Sequence, residues 1–162
     1  MTHNLRCRTL LLLLLLLASG KPAWAASCTI TTSGTLIDFG RYSAMTGPVN
    51  SQVTLGFTCS PTLLTETSIT YNIKVSPGLS GNALDRRMYL NGNTGASALR
   101  YNLFIDAARV MIWGDGTGGT SFYSGTCTLV VCPVTTVYAR LQGGQGGTPG
   151  PYRDDVSVTI NF

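Results

Sequence analysis

The chain has 162 residues, a length that fits one domain with a sizeable core. Its formal charge of +4 falls to +1 once an N-terminal export segment carrying Arg6, Arg8 and Lys21 is set aside, because eight basic residues then face seven acidic ones. With no basic cluster beyond Arg86-Arg87, that balance excludes an electrostatic footprint for nucleic acid.

Residues 1–25 read as a cleaved signal peptide. Arg6 and Arg8 form a basic start, residues 10–17 are an unbroken apolar run, and Ala23-Trp24-Ala25 is an A-x-A cleavage site before Ala26. A membrane span needs roughly 20 apolar residues. Lys21 and Pro22 interrupt this run, so no membrane span is expected after signal cleavage. Cys7 leaves with the signal, and Cys28, Cys59, Cys127 and Cys132 remain as an even set in an oxidising compartment, which predicts two disulfides. Four cysteines allow three connectivities. Cys127 and Cys132 are close enough in sequence to clip a small loop, which leaves Cys28 with Cys59; the loop so closed, of about 30 residues, is worth roughly 3–4 kcal/mol in chain entropy. A zinc site is the competing reading, but C-x2-C knuckles are missing and the only histidine, His3, lies in the signal.

From Cys28, residues 29–32 suit a strand that Ser33-Gly34 breaks and residues 36–39 resume. Residues 40–50 read as a loop. Val53, Leu55, Phe57 and Cys59 then alternate with Thr54, Gly56 and Thr58, which predicts one strand with Cys59 facing inward. Ile69, Tyr71, Ile73 and Val75 alternate in the same way with Thr70, Asn72 and Lys74. Turn-forming residues around Pro77-Gly78 and Gly81-Asn82 lead to a short strand over residues 85–90, in which Arg86-Arg87 read as edge charge against aggregation.

Leu99, Tyr101, Leu103 and Ile105 alternate with Arg100, Asn102, Phe104 and Asp106, which predicts a half-buried strand. A second apolar run, Val110-Met111-Ile112-Trp113, is expected to pair with it and stops at the glycine-rich residues 114–119. Residues 126–131 and 134–141 supply further strands, and a second glycine- and proline-rich breaker covers 143–151. In the last strand Val156, Val158, Ile160 and Phe162 alternate with Ser157, Thr159 and Asn161. No segment repeats apolar residues at helical spacing over three turns. The chain is therefore expected to be all-β, one domain over residues 26–162. The expected architecture is a disulfide-bonded, immunoglobulin-like antiparallel β-sandwich of about seven strands, with a small barrel as the alternative.

Candidate chemistry is sparse. Gly114, Gly116 and Gly119 satisfy G-x-G-x-x-G, but no helix start follows, so a loop is expected and no cofactor. Without a histidine no Ser-His-Asp or Cys-His group can be assembled, and no G-x-S-x-G elbow is present. Asp154-Asp155, and Asp106 with Asp115, read as solvated turn and edge charges in preference to acid-base or calcium sites, and Tyr101, Trp113 and Tyr138 as core or rim in preference to a sugar platform. No catalytic or metal-binding residues, and no enzyme activity, are expected.

Tyr101-Asn102-Leu103, the block Asp106-Ala107-Ala108-Arg109 and the run Trp113-Gly114-Asp115-Gly116-Thr117-Gly118 resemble the spore coat protein U domains, secreted proteins that include the pilin subunits of archaic chaperone-usher pili. The likeness extends to Cys28 with Ile37-Asp38-Phe39-Gly40, to Cys59, to Arg86-Arg87-Met88 and to the ending from Tyr152 to Phe162, and so covers the mature chain. It supports the Cys28 to Cys59 pair. It implies a sandwich lacking one edge strand, the gap being filled by β-strand addition from a periplasmic pilus chaperone and then from another pilin-like subunit, with an outer-membrane usher as a further partner. Val156, Val158, Ile160 and Phe162 would line the partner-strand groove. The implied function is an exported structural subunit of a surface pilus or coat, passing through the periplasm to the cell surface and serving adhesion or biofilm. A self-contained secreted carbohydrate- or surface-binding sandwich, acting through loops 114–119 and 143–151, is the alternative. One departure bears on position. Internal pilins carry an alternating extension of about ten or more residues ahead of the first cysteine that fills the next subunit's groove, whereas cleavage after Ala25 leaves only Ala26-Ser27. A subunit that accepts a strand without donating one, at a fibre tip or end, is therefore expected.

Overall fold

The computed structural model describes residues 27–31, 37–60, 68–128 and 132–162; the expected signal peptide and its cleavage site lie outside these. The described residues form ten strands and no helix, so none is long and apolar enough to cross a membrane. The strands are β1 (Ser27–Ile30), β2 (Val49–Leu55), β3 (Phe57–Ser60), β4 (Ser68–Val75), β5 (Arg86–Leu90), β6 (Ala98–Phe104), β7 (Tyr123–Thr128), β8 (Thr135–Leu141), β9 (Tyr152–Arg153) and β10 (Val158–Asn161). They assemble into a pair β1-β3, a three-stranded sheet β10-β4-β7 and a five-stranded sheet β2-β8-β6-β5-β9. Every strand pairing is antiparallel.

One core unites the sheets. Tyr71, Ile73 and Val75 of β4 join Leu99, Tyr101 and Leu103 of β6 and Val137, Ala139 and Leu141 of β8 in a single buried cluster. The period-two patterns place them there: along β4 and along β8 every second residue is buried. Burying such an aliphatic side chain stabilises the fold by about 1.5–3 kcal/mol.

Several expectations are corrected. The alternation over residues 53–59 suggested one strand, but it divides at Gly56: β2 pairs with β8, whereas β3 pairs with β1. Leu55, Phe57 and Cys59 stay buried across the division, so the inward pattern runs on while the hydrogen-bonding partner changes. The run 110–113 forms no strand. The Asp106 carboxylate accepts the amides of Val110 and Met111, Arg109 adopts φ +59°, and the chain makes only single bridges at Ile112 to Phe104 and at Trp113 to Ser121. An aspartate that takes local amides removes them from any ladder. Trp113 serves the core instead, its backbone amide donating to Leu103 in one sheet and its indole Nε1 to the Ile73 carbonyl in the other at 3.0 Å.

Arg86 is not an edge charge. It is fully buried on a strand flanked by β6 and β9, where its guanidinium donates to the carbonyls of Ala83 and Ser76 and to Asn102 Oδ1. Asp154 is not a solvated charge either, since it accepts hydrogen bonds from Tyr101 Oη and the Leu79 amide, each at 2.7 Å.

Candidate partner-strand edge

β10 owes its extended shape to the β-branched residues of Val156-Ser157-Val158-Thr159-Ile160, and it enters the sheet through reciprocal ties to β4's end. Ser76 donates its amide to the Ser157 carbonyl at 2.9 Å, and Ser157 donates its own to Ser76 Oγ at 2.9 Å. From there β10 runs antiparallel to β4, with Val158 opposite Val75 and Ile160 opposite Ile73.

Sheet order places β10 at an edge, and among the described residues no strand pairs with its other side. Burial shows the consequence. Ile73 and Val75 are sealed, whereas Val156, Val158 and Ile160, packed against the same core, remain half-buried. Phe162 is 55% exposed, and Ile30 on the edge strand β1 is 43% exposed. Val158 and Ile160 thus come together on the core-facing side with Val156 just ahead of them, while Phe162 lies beyond the paired residues. Native sheets usually protect an edge with charge, proline or a bulge. Residues 156–162 carry no charged residue and no proline. This edge lacks charge and proline as protections.

Electrostatics lie elsewhere. Asp85 binds Arg100 and Arg87, whose hydrogen bonds, that of Arg100 first, hold its carboxyl below the ordinary value. Burial lowers the pKa of Arg86. Burial, and then the bond to Asp154, raise that of the Tyr101 hydroxyl. Each is accounted for by strand-to-strand or loop anchoring, and none of their hydrogen-bond partners lies in β10.

Both expected disulfides are present, Cys28–Cys59 and Cys127–Cys132. The first staples β1 to β3, where the two residues stand directly opposite. Tyr101 and Trp113 are core residues, while Tyr138 is half-buried beneath the Arg109 guanidinium.

The two glycine-rich loops each border a hollow. One, of about 600 Å³, lies among Lys74, Leu84, Asp115, Thr117 and Thr120; the other, of about 660 Å³, among Phe39, Tyr42, Gln145, Pro149 and Tyr152. The loops were legible in the sequence, but residues 37–39, expected to resume the first strand, form no strand; with residues 40–44 they cover one side of the second hollow.

No curated protein shows significant similarity to the chain. Among solved structures, the chaperone-tip adhesion subunit pre-assembly complex CsuC-CsuE, from the archaic chaperone-usher Csu pili of Acinetobacter baumannii, contains a chain similar at 25% identity and TM-score 0.51, over 85% of this chain. A chaperone-tip adhesin complex of CFA/I fimbriae biogenesis matches at 10% identity and TM-score 0.49, over 83% of this chain. In both cases the chain spans 40% of the length of its counterpart. The Spore Coat Protein U domain matches residues 13–159, so the chain, with its all-β sandwich and paired disulfides, belongs to the Spore Coat Protein U domain family.

Proposed function

We propose that the chain is an exported structural subunit of a surface pilus or coat, completed by β-strand addition along the free side of β10. The observation that carries this reading is the uncharged, proline-free edge whose core-facing side chains are only half covered. A donor strand there would pair its backbone with β10 and seat alternate apolar side chains against Val156, Val158 and Ile160, with Phe162 at the end of the groove. Four or five such side chains contribute on the order of 10 kcal/mol before ordering costs. A periplasmic pilus chaperone is the first partner, followed by pilin-like subunits and an outer-membrane usher. The route is periplasm, then cell surface. Similarity to a complex containing a tip adhesion subunit supports a place at the fibre tip, with a role in adhesion and biofilm.

The test is periplasmic co-expression with a pilus chaperone. Wild type is expected to co-purify with it and to aggregate or be degraded without it. Ile160→Asp should abolish capture by placing a carboxylate on the apolar face, whereas Thr159→Asp, on the exposed face, should retain it. Undiminished capture of Ile160→Asp would show that the last strand is not the contact.

A second reading is supported by the hollows beside loops 114–119 and 143–151: a self-contained carbohydrate- or surface-binding module. It requires a stable, soluble monomer in the absence of any chaperone, which the same expression experiment reads directly.

A further inference from the structure

The two disulfides belong to different parts of the fold, one joining β1 to β3 and the other starting from Cys127 on β7, opposite Ile69 of β4. Their sulfurs nevertheless converge. The Sγ atoms of Cys59, Cys127 and Cys132 all lie within 4.8 Å of one another. Burial within the group is graded, with Cys59 and Cys127 sealed in the core and Cys28 and Cys132 half-buried. A thiolate exchanges with a disulfide by attacking one of its sulfurs, so its rate depends on access to that sulfur. Within the Cys127–Cys132 bond an external thiol can reach the half-buried Cys132 more readily than the sealed Cys127, and the group that it displaces at Cys132 is a buried thiolate beside Cys59.

We propose that the four cysteines form one thiol–disulfide exchange site, in which reduction begun at Cys132 is passed through Cys127 to Cys59 and emerges as a free Cys28 thiol. The external reactant is a dithiol. Its thiolate attacks Cys132 Sγ, forming a mixed disulfide and releasing Cys127 as a thiolate. Cys127 then attacks Cys59 Sγ; the Cys59–Cys127 bond forms as the Cys28–Cys59 bond breaks, and the departing Cys28 thiolate takes a proton from water. The second thiol of the reactant, as its thiolate, attacks the reactant's own sulfur in the mixed disulfide; the bond to Cys132 breaks, the Cys132 thiolate takes a proton from water, and the reactant leaves as the oxidised cyclic disulfide. Two electrons and two protons thus pass to the protein and reside on Cys28 and Cys132. The core stays cross-linked, now between β3 and β7. What is lost is the staple on β1, which among the described residues pairs with β3 alone.

This inference is independent of the pilus reading. It is tested on the folded mature protein with limiting dithiothreitol under mildly alkaline conditions, followed by acid quenching, N-ethylmaleimide trapping and non-reduced peptide mapping. The expected major two-thiol species is alkylated at Cys28 and Cys132 and carries a Cys59–Cys127 link, and its β1 amides lose hydrogen-exchange protection. A major species alkylated at Cys127 and Cys132 with Cys28–Cys59 intact would overturn the proposal, as would one alkylated at Cys28 and Cys59 with Cys127–Cys132 intact. Cys132→Ser supplies a second readout that needs no reductant. Its unpaired Cys127 should yield a measurable fraction of Cys59–Cys127 with free Cys28, and finding Cys28–Cys59 alone would count against the exchange.

Discussion

Arg86 illustrates how a residue's type misleads until its neighbours are known. Arg86 is buried beside Asn102, whose Oδ1 accepts from the guanidinium at 2.8 Å and whose Nδ2 donates to the Ala83 and Leu84 carbonyls. Together they fasten the turn before β5 to β5 and β6. Arg86→Met keeps the volume but leaves the Ser76 and Ala83 carbonyls and Asn102 Oδ1 without their donor, so a loss of about 2–4 kcal/mol is expected in chemical denaturation. A variant as stable as wild type would show that the buried charge costs as much as its hydrogen bonds contribute. Asp106 and Asp115 act on the surface. The Met111 amide, then that of Val110, lowers the pKa of the first; the Thr117 amide and hydroxyl lower that of the second. Because both folded values lie below the ordinary 3.8, their stabilisation is complete above that pH and is lost as pH falls through the folded values. The thermal midpoint should be level from about pH 6 to about pH 4 and should drop in stronger acid. Asp106→Asn should flatten that drop, and an unchanged acid slope would remove this carboxylate from the account.

At the scale of the element, alternation located the strands but not their partners. β4 and β8 appear where period two placed them, because each presents one face to a shared core. The division of residues 53–59 at Gly56 left no mark on that pattern, since a strand can change sheets while its side chains keep facing inward. β7 starts at Tyr123, three residues before the expected strand, and Gly125 within it allows close packing: a Cβ there would lie 2.5 Å from Tyr71 Oη. Tyr71 is itself buried and packed edge-on against Phe57 at 4.7 Å, so it has little room to yield. Gly125→Val should therefore cost roughly 1–3 kcal/mol through overpacking, measured by thermal unfolding. Full stability in this variant would mean that the β4–β7 pair can separate without loss.

For the whole molecule, the long-range staple and the open edge act in opposite directions. Cys28–Cys59 closes a sequence separation of 31, and the double variant Cys28→Ser/Cys59→Ser should lose roughly 3–4 kcal/mol of stability. Urea denaturation of the two forms would check this, and equal midpoints would show that the β1–β3 ladder suffices alone. On the other side, β10 leaves part of the core half covered. A peptide of alternating apolar residues that occupies the edge should raise the thermal midpoint of the isolated domain, by mass action, with the logarithm of its concentration once that exceeds Kd. No shift at saturating peptide would argue that the half-buried face is already complete.

By itself the sequence determined the class: alternation without helical periodicity meant strands, and an even cysteine set with one close pair meant two disulfides, because these features depend on local spacing. It also located the last strand and its apolar face. Only the tertiary structure decided that Arg86 lies inside, that residues 110–113 lend Trp113 to the core instead of pairing, and that Cys59 of β3 meets the sulfurs of the Cys127–Cys132 disulfide within 4.8 Å. It alone placed β10 at an edge, paired on one side to β4. The physical reason is shared: burial, partner choice and edge position are set by contacts between segments far apart in the chain, and no window of neighbouring residues contains them.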